Sequence, residues 1–361
     1  MKSKWLIIFL GALLLVVPAF MGCAPPEEPV DDPKEPEEPA EPEDPEADPI
    51  TLELADTNAP DHVLVHAGDL FAELVEERTD GQIEIERYRH EELYGPRELI
   101  EAVEMGTAAM GIQHVAFVGG HSAALEFISS FGAQGVWDDA DHYHRFVDMP
   151  EVREIADQEF EENLNQNLLA ILDYGSSVFA SAEKPVRTIE DYEGQRARAA
   201  GTAQATMYET LGVDPVDLDL GEVYMALERG TIEAFCTGPA RVYLDAYYEV
   251  APYITQDYSA PRLSFWLTIN NDTWEDLTSE QQDIMLEAAE EVTEFARERA
   301  TEDIEGYQAE LEEVAEEFIY FDEDERARLR EKVEPVMYDL TLERVGEDLG
   351  QELWDLMEEA R

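Results

Sequence analysis

The chain has 361 residues and a formal charge of −61, from 85 Asp and Glu against 24 Lys and Arg. Acidity of that density makes nucleic acid and anionic lipid poor partners, since both present negative phosphates. Two cysteines, Cys23 and Cys236, are too few for a fold stapled by disulfides.

In chain order, Lys2 and Lys4 precede an apolar run from Trp5 to Phe20 that ends at Met21-Gly22-Cys23. A basic start, a short apolar core and a small residue before the cut read as an export signal over residues 1–22. Cys23 beside the cut reads as the lipidated first residue of a bacterial lipoprotein, which leaves Cys236 without an intrachain partner. Residues 23–49 follow as an acidic, Pro-rich tether, for example Glu35-Pro36-Glu37-Glu38-Pro39. Such sequence has too little apolar surface to offset ordering entropy, and its like charges keep it extended. These readings place the body outside the cytoplasm, held at a membrane by a lipid anchor.

The tether has twelve acids against Lys34, and the signal adds two lysines, so the body from Ile50 onward keeps about −52 of the charge. Only Lys184 and Lys332 are lysines there; the other cations are arginines. Self-repulsion of that size is tolerable where salt screens it, which points to a saline habitat.

Within the body, Ile50 to Ala55 alternates like a strand, and His62 to Arg78 has helical spacing, with Asp61 as its expected cap. Gln82 to Tyr88 alternates again, Pro96 to Met105 is a helix, and Ala108 to Val115 a short buried strand. This βαβαβ order predicts an α/β domain with a largely parallel sheet. Further strands are expected at Leu168 to Tyr174, Gln195 to Ala199 and Arg262 to Ile269. Helices are expected near Ala203 to Leu211 and Glu222 to Arg229. From Ser279 to about Phe318 helical spacing continues, longer than one small domain needs.

Three segments then carry a resemblance: Phe71-Ala72-Glu73-Leu74-Val75-Glu76-Glu77-Arg78-Thr79-Asp80-Gly81, Asp191-Tyr192-Glu193-Gly194-Gln195-Arg196-Ala197-Arg198, and Gly221-Glu222-Val223-Tyr224-Met225-Ala226-Leu227-Glu228-Arg229-Gly230-Thr231-Ile232-Glu233. Together, over Ile50 to Arg361, the chain resembles the solute-binding proteins of TRAP transporters, the DctP type. The resemblance implies a two-domain clamshell with discontinuous domains, 50–172 plus 265–305 and 173–264 plus 306–361, and one long helix across both. It implies capture of a small organic anion and delivery to the small and large membrane permease subunits, without enzymatic activity or cofactor. It leaves a homodimer open, since some members pair through the late helices.

In the family, an arginine at the place of Arg198 clamps the substrate carboxylate, and a guanidinium suits this because its planar fork makes two parallel charge-assisted bonds. Arg198-Ala199-Ala200-Gly201 also sets that cation beside small residues. In Ile232 to Pro239, a loop in relatives, Thr237 stands nearest to the asparagine that many of them offer. Phe235-Cys236 falls where a cation-binding branch carries Glu-Trp, so no metal is expected, and Cys236 reads as a buried small apolar residue. The other wall is expected from Thr57, Asn58 and His62 after the first strand and from Gln113 and His114 after the buried strand, because ligands of open α/β sheets sit at carboxyl ends. Trp266 is a further candidate for the wall. Tyr174, Ser176 and Ser177 stand where sialic-acid binders carry a second arginine, which argues against a sugar acid of that kind.

Two rival classes are weaker. All seven histidines lie between His62 and His144, and the pairs His62/His66 and His142/His144 are what a secreted metal-binding protein would use, but no His-Glu-x-x-His or cysteine pair accompanies them. A surface hydrolase would use a nucleophile elbow or a carboxylate pair; no Gly-x-Ser-x-Gly occurs, and acids this abundant leave a carboxylate pair open.

Overall fold

The structure, a computed structural model, describes residues 49–361. The export segment, Cys23 and the tether up to Asp48 lie outside the described residues. The elements in order are β1 (Ile50–Asp56), α1 (Val63–Arg78), β2 (Ile83–Tyr88), α2 (Pro96–Glu104), β3 (Met110–Gln113), α3 (Ala123–Ile128), α4 (Ala140–Val147), α5 (Pro150–Leu164), β4 (Gln166–Gly175), β5 (Val178–Ser181), β6 (Arg196–Ala199), α6 (Thr202–Leu211), β7 (Asp214–Asp217), α7 (Val223–Glu228), β8 (Ala234–Thr237), α8 (Pro239–Leu244), β9 (Tyr253–Gln256), β10 (Leu263–Asn270), α9 (Asn271–Glu275), α10 (Ser279–Val314), β11 (Glu317–Tyr320), α11 (Glu323–Val345) and α12 (Glu347–Glu359).

Local chemistry explains the boundaries. Helix α1 is capped by His62, not by Asp61: the imidazole Nδ1 accepts from the Leu64 N–H at 3.2 Å. Pro96 opens α2, and Glu98 reaches back to the Gly95 N–H at 3.1 Å. A reciprocal pair between Thr278 and Gln281 starts α10. That helix stops at Val314, short of the expected Phe318, which belongs instead to strand β11.

The strands form two sheets, β2-β1-β3-β10-β4 and β11-β9-β5-β8-β6-β7. In the first, β1 pairs in parallel with β2 and β3, as the βαβαβ pattern requires. Strand β10 then enters antiparallel to both β3 and β4. The second sheet is similar: β6 is parallel to β7 and β8, β9 is parallel to β11, and β5 runs antiparallel between them.

The chain passes between the sheets three times, from β4 to β5, from β9 to β10, and through α10 to β11. At 36 residues α10 is about 54 Å long, and its apolar stripe serves two cores. Met285, Ala289, Val292, Ala296 and Ala300 pack with Phe71 and Leu172 under the first sheet, whereas Leu311 packs with Phe235 and Ile254 under the second. A further core joins Trp137, Phe146 and Tyr208 to Leu329, Met337 and Trp354 of the last helices. No helix among the described residues is long and apolar enough to cross a membrane.

Candidate functional site

Carboxyl ends of strands from both sheets converge on one cavity of about 580 Å³. Thr57 and Asn58 follow β1, His114 follows β3, and Tyr174 and Phe265 come from β4 and β10. The opposite side is built by Arg198 of β6, Cys236 and Thr237 of β8, and Arg241 of α8. This is where open α/β sheets place ligands, because the strand ends leave crevices between connecting loops.

Arg198 sits third in β6, and extension of the strand carries its side chain to the cavity; it is 6% exposed. Its Nε donates to the Leu218 carbonyl at 2.9 Å, which fixes the plane of the guanidinium. Among the described residues no carboxylate pairs with it. Burial lowers its pKa, but guanidinium stays charged throughout the useful range. Behind it the chain turns at Gly201, whose φ of +151° favours glycine, and the Ala200 N–H is held by Gln204 Oε1 at 2.9 Å. Ala200 lines the cavity, while Ala199 and Gly201 face an adjoining hollow of about 410 Å³.

Arg241, a second cation on the lining, is not among the residues expected from the sequence. Its Nε pairs with Asp245 one turn along α8. Burial disfavours the charge, but Asp245, Tyr174 and Tyr247 outweigh it and its pKa rises. The arginines also act on the imidazoles nearby. Burial, then the positive charges of Arg198 and Arg241, pull His114 down to about 3. Burial, then Arg241 and His66, do the same to His62. Both rings are neutral at neutral pH, so the positive charge of the site comes from arginine.

The first-sheet wall is aromatic. Tyr174 stacks on Phe265 at 4.9 Å with 8° between planes, Phe265 meets His114 at 4.6 Å, and His114 meets Phe117 at 5.0 Å. Arg97 covers the Phe117 ring at 4.4 Å. Gly238 allows this wall to approach α8, since a Cβ there would stand 2.9 Å from Tyr174 Cε1. Two buried amide donors beside the cavity, Asn58 Nδ2 and Gln134 Nε2, have no partner among the described residues. Orphaned donors of this kind are costly unless a ligand or water accepts from them.

Arg198, Thr237, Asn58, Thr57 and His114 thus line the cavity, together with Tyr174, Ser177 and Cys236. Four expected residues do not. Phe235 is fully buried on the opposite face of β8 against Tyr247, with ring centres 4.7 Å apart. Trp266 packs on Phe160 at 5.3 Å in the core, and its neighbour Phe265 takes the wall. Gln113 is buried and donates to Gln166 at 2.7 Å and Thr268 at 2.9 Å, leaving His114 to reach the cavity. His62 stacks behind Tyr174 at 4.5 Å and meets the site only through that ring. The Ile232 to Pro239 segment contains strand β8 where a loop was expected. Burial pushes the Cys236 thiol up to about 12, so it is not a reactive nucleophile.

The paired histidines take separate partners: His142 Nε2 lies 2.8 Å from the Met357 carbonyl, and His144 Nε2 lies 2.9 Å from Asp173. No cluster of potential metal ligands occurs among the described residues.

Two α/β sheets closing on one cavity, joined by repeated crossings and one shared helix, define a clamshell of the solute-binding class. The family described as bacterial extracellular solute-binding protein, family 7, or DctP, matches residues 54–343. The chain is 26% identical over 312 residues to the C4-dicarboxylate-binding periplasmic protein DctP of Rhodobacter capsulatus, covering 83% of this chain and 89% of that one. Its fold matches a TRAP periplasmic solute-binding protein from Desulfovibrio salexigens with bound orotic acid, at a TM-score of 0.78 and 22% identity over 86% of this chain and 98% of that one. It also matches one from Haemophilus influenzae with bound L-gulonate, at a TM-score of 0.78 and 22% identity over 86% and 100%. The chain belongs to the DctP family of TRAP transporter solute-binding proteins.

Proposed function

We propose that this protein captures a small organic carboxylate between two lobes, grips it with Arg198 and hands it to the small and large permease subunits of a TRAP transporter. The observation that carries the reading is Arg198 itself, a buried cation with no carboxylate partner among the described residues, facing a cavity of about 580 Å³. Relatives of the same fold hold orotic acid and L-gulonate, and the Rhodobacter relative is a C4-dicarboxylate binder, so organic acids are the ligand class. The role is binding, not catalysis. We read 50–172 with 265–305 as one lobe and 173–264 with 306–361 as the other, each centred on one sheet. Cys23 would carry the lipid and the acidic tether would hold the lobes off the membrane.

The test is a melting-temperature screen against carboxylates in molar salt, followed by calorimetry. A ligand present at a hundred times its Kd adds about 2.7 kcal/mol of stability, an easily read rise. A broad carboxylate panel that leaves the melting temperature unmoved would overturn the reading.

The acidic body carries a second expectation. In molar salt the Debye length is about 3 Å, against about 10 Å at 0.1 M, so dilution brings back repulsion among the surface acids. The melting temperature should fall by several degrees between molar and 0.1 M sodium chloride. Equal melting temperatures in the two would remove the saline adaptation.

A further inference from the structure

The charges around the cavity narrow the ligand further, on the footing that Arg198 is the clamp. Three cations line it, Arg97, Arg198 and Arg241. Arg241 is already paired with Asp245, and Arg97 lies 3.7 Å from Asp219 with Phe117 against its other side. Arg198 alone is buried without an acid among the described residues. A second ligand carboxylate would meet Arg241 or Arg97 where Asp245 or Asp219 already offsets the charge, and would approach those acids as a like charge. It would also give up its water inside a cavity, a cost that only a free cation offsets.

The uncharged part of the cavity is equally selective. Tyr174, Phe265, His114 and Phe117 form a continuous ribbon of rings along one wall, and Leu263 and Phe131 extend the apolar lining. A polyhydroxylated chain laid along the rings would lose water from each hydroxyl facing them without gaining a partner there. A planar apolar body loses little on entering and gains ring contacts.

We propose that the site prefers a monocarboxylate with a planar, apolar body, of the arylacetate class, over dicarboxylates and sugar acids. One carboxylate meets Arg198, and the ring lies along the Tyr174 to Phe117 wall. Asp245 is then a specificity residue, because it keeps Arg241 from accepting a second carboxylate.

The experiment is calorimetry in molar salt with phenylacetate, indole-3-acetate, succinate and glucuronate, on the native protein and on Asp245→Asn. At least one arylacetate should bind the native protein about tenfold or more tightly than succinate and glucuronate. Asp245→Asn should raise succinate affinity about tenfold while leaving the arylacetates within about threefold, since it frees a cation without touching the ring wall. Succinate or glucuronate binding the native protein as tightly as the arylacetates would overturn this preference and leave the carboxylate clamp standing. Absence of binding by all four would overturn the arylacetate preference, and the broad carboxylate panel decides the clamp separately. Unchanged succinate affinity in a folded Asp245→Asn protein would remove Asp245 from the specificity role.

Discussion

Arg198→Ala should weaken ligand binding by at least about 30-fold while the protein remains folded. The side chain makes one hydrogen bond within the protein, to the Leu218 carbonyl, and neutralises no carboxylate among the described residues. Its removal therefore leaves no buried acid uncompensated, and deleting an unpaired buried cation relieves a desolvation cost. With ligand present the situation reverses. A carboxylate that has lost its guanidinium partner inside the cavity is stranded, and truncating one member of a buried, hydrogen-bonded charge pair costs about 2–5 kcal/mol. That corresponds to a loss in affinity of roughly 30-fold to several thousandfold. Arg198→Lys should recover only part of it, because an ammonium keeps the charge but not the two-pronged geometry. Calorimetry gives the affinities, and a denaturant curve in molar salt establishes that the variant is folded. Native affinity in the alanine variant would show that the anion is held elsewhere.

Much of this arrangement was legible before any coordinates, and the failures share a physical pattern. Arg198 and Thr237 were expected because their segments match the family's, and Asn58 and His114 because strand ends are where loops gather around a crevice. Phe235, Gln113 and Trp266 each missed by one position. Cys236, His114 and Phe265 reach the cavity in their place. In a strand, adjacent residues face opposite sides, and when both faces are buried the apolar pattern does not say which faces the ligand. The insertion of β10 antiparallel between β3 and β4 was unreadable for a different reason: strand partners so distant in sequence leave no local trace. Arg241 had a weak signal. Pro239 is a typical first residue of a helix, so a helix beginning there puts Arg241 in its first turn, beside the β8 end that frames the cavity.

Arg262→Ala should cost more stability than other single changes in the segments that pass between the sheets. Arg262 lies immediately before β10, on the second passage, and is largely buried. Its Nε stands 3.3 Å from Asp173 Oδ2 at the end of β4, on the first passage, and its second amino group donates to Thr301 Oγ1 of α10, the third, at 2.9 Å. One side chain thus fastens all three connections. Its acid is as deeply buried, and His144, at 2.9 Å, is the other ionisable partner of Asp173 among the described residues. Removing Arg262 leaves that carboxylate with half of its support, and breaking a buried pair from one side costs about 3–5 kcal/mol. Asp173→Asn should also destabilise, because it leaves the Arg262 guanidinium largely buried without its acid. A double variant, Arg262→Ala with Asp173→Ala, should fall short of the sum of its singles by more than about 0.5 kcal/mol, since the two residues act as one unit. Denaturant unfolding in molar salt reads the native protein, the two alanine singles, Asp173→Asn and the double variant. If Arg262→Ala stays within about 0.5 kcal/mol of native, as a typical surface substitution does, the crossings are held by apolar packing of α10 and not by this clasp.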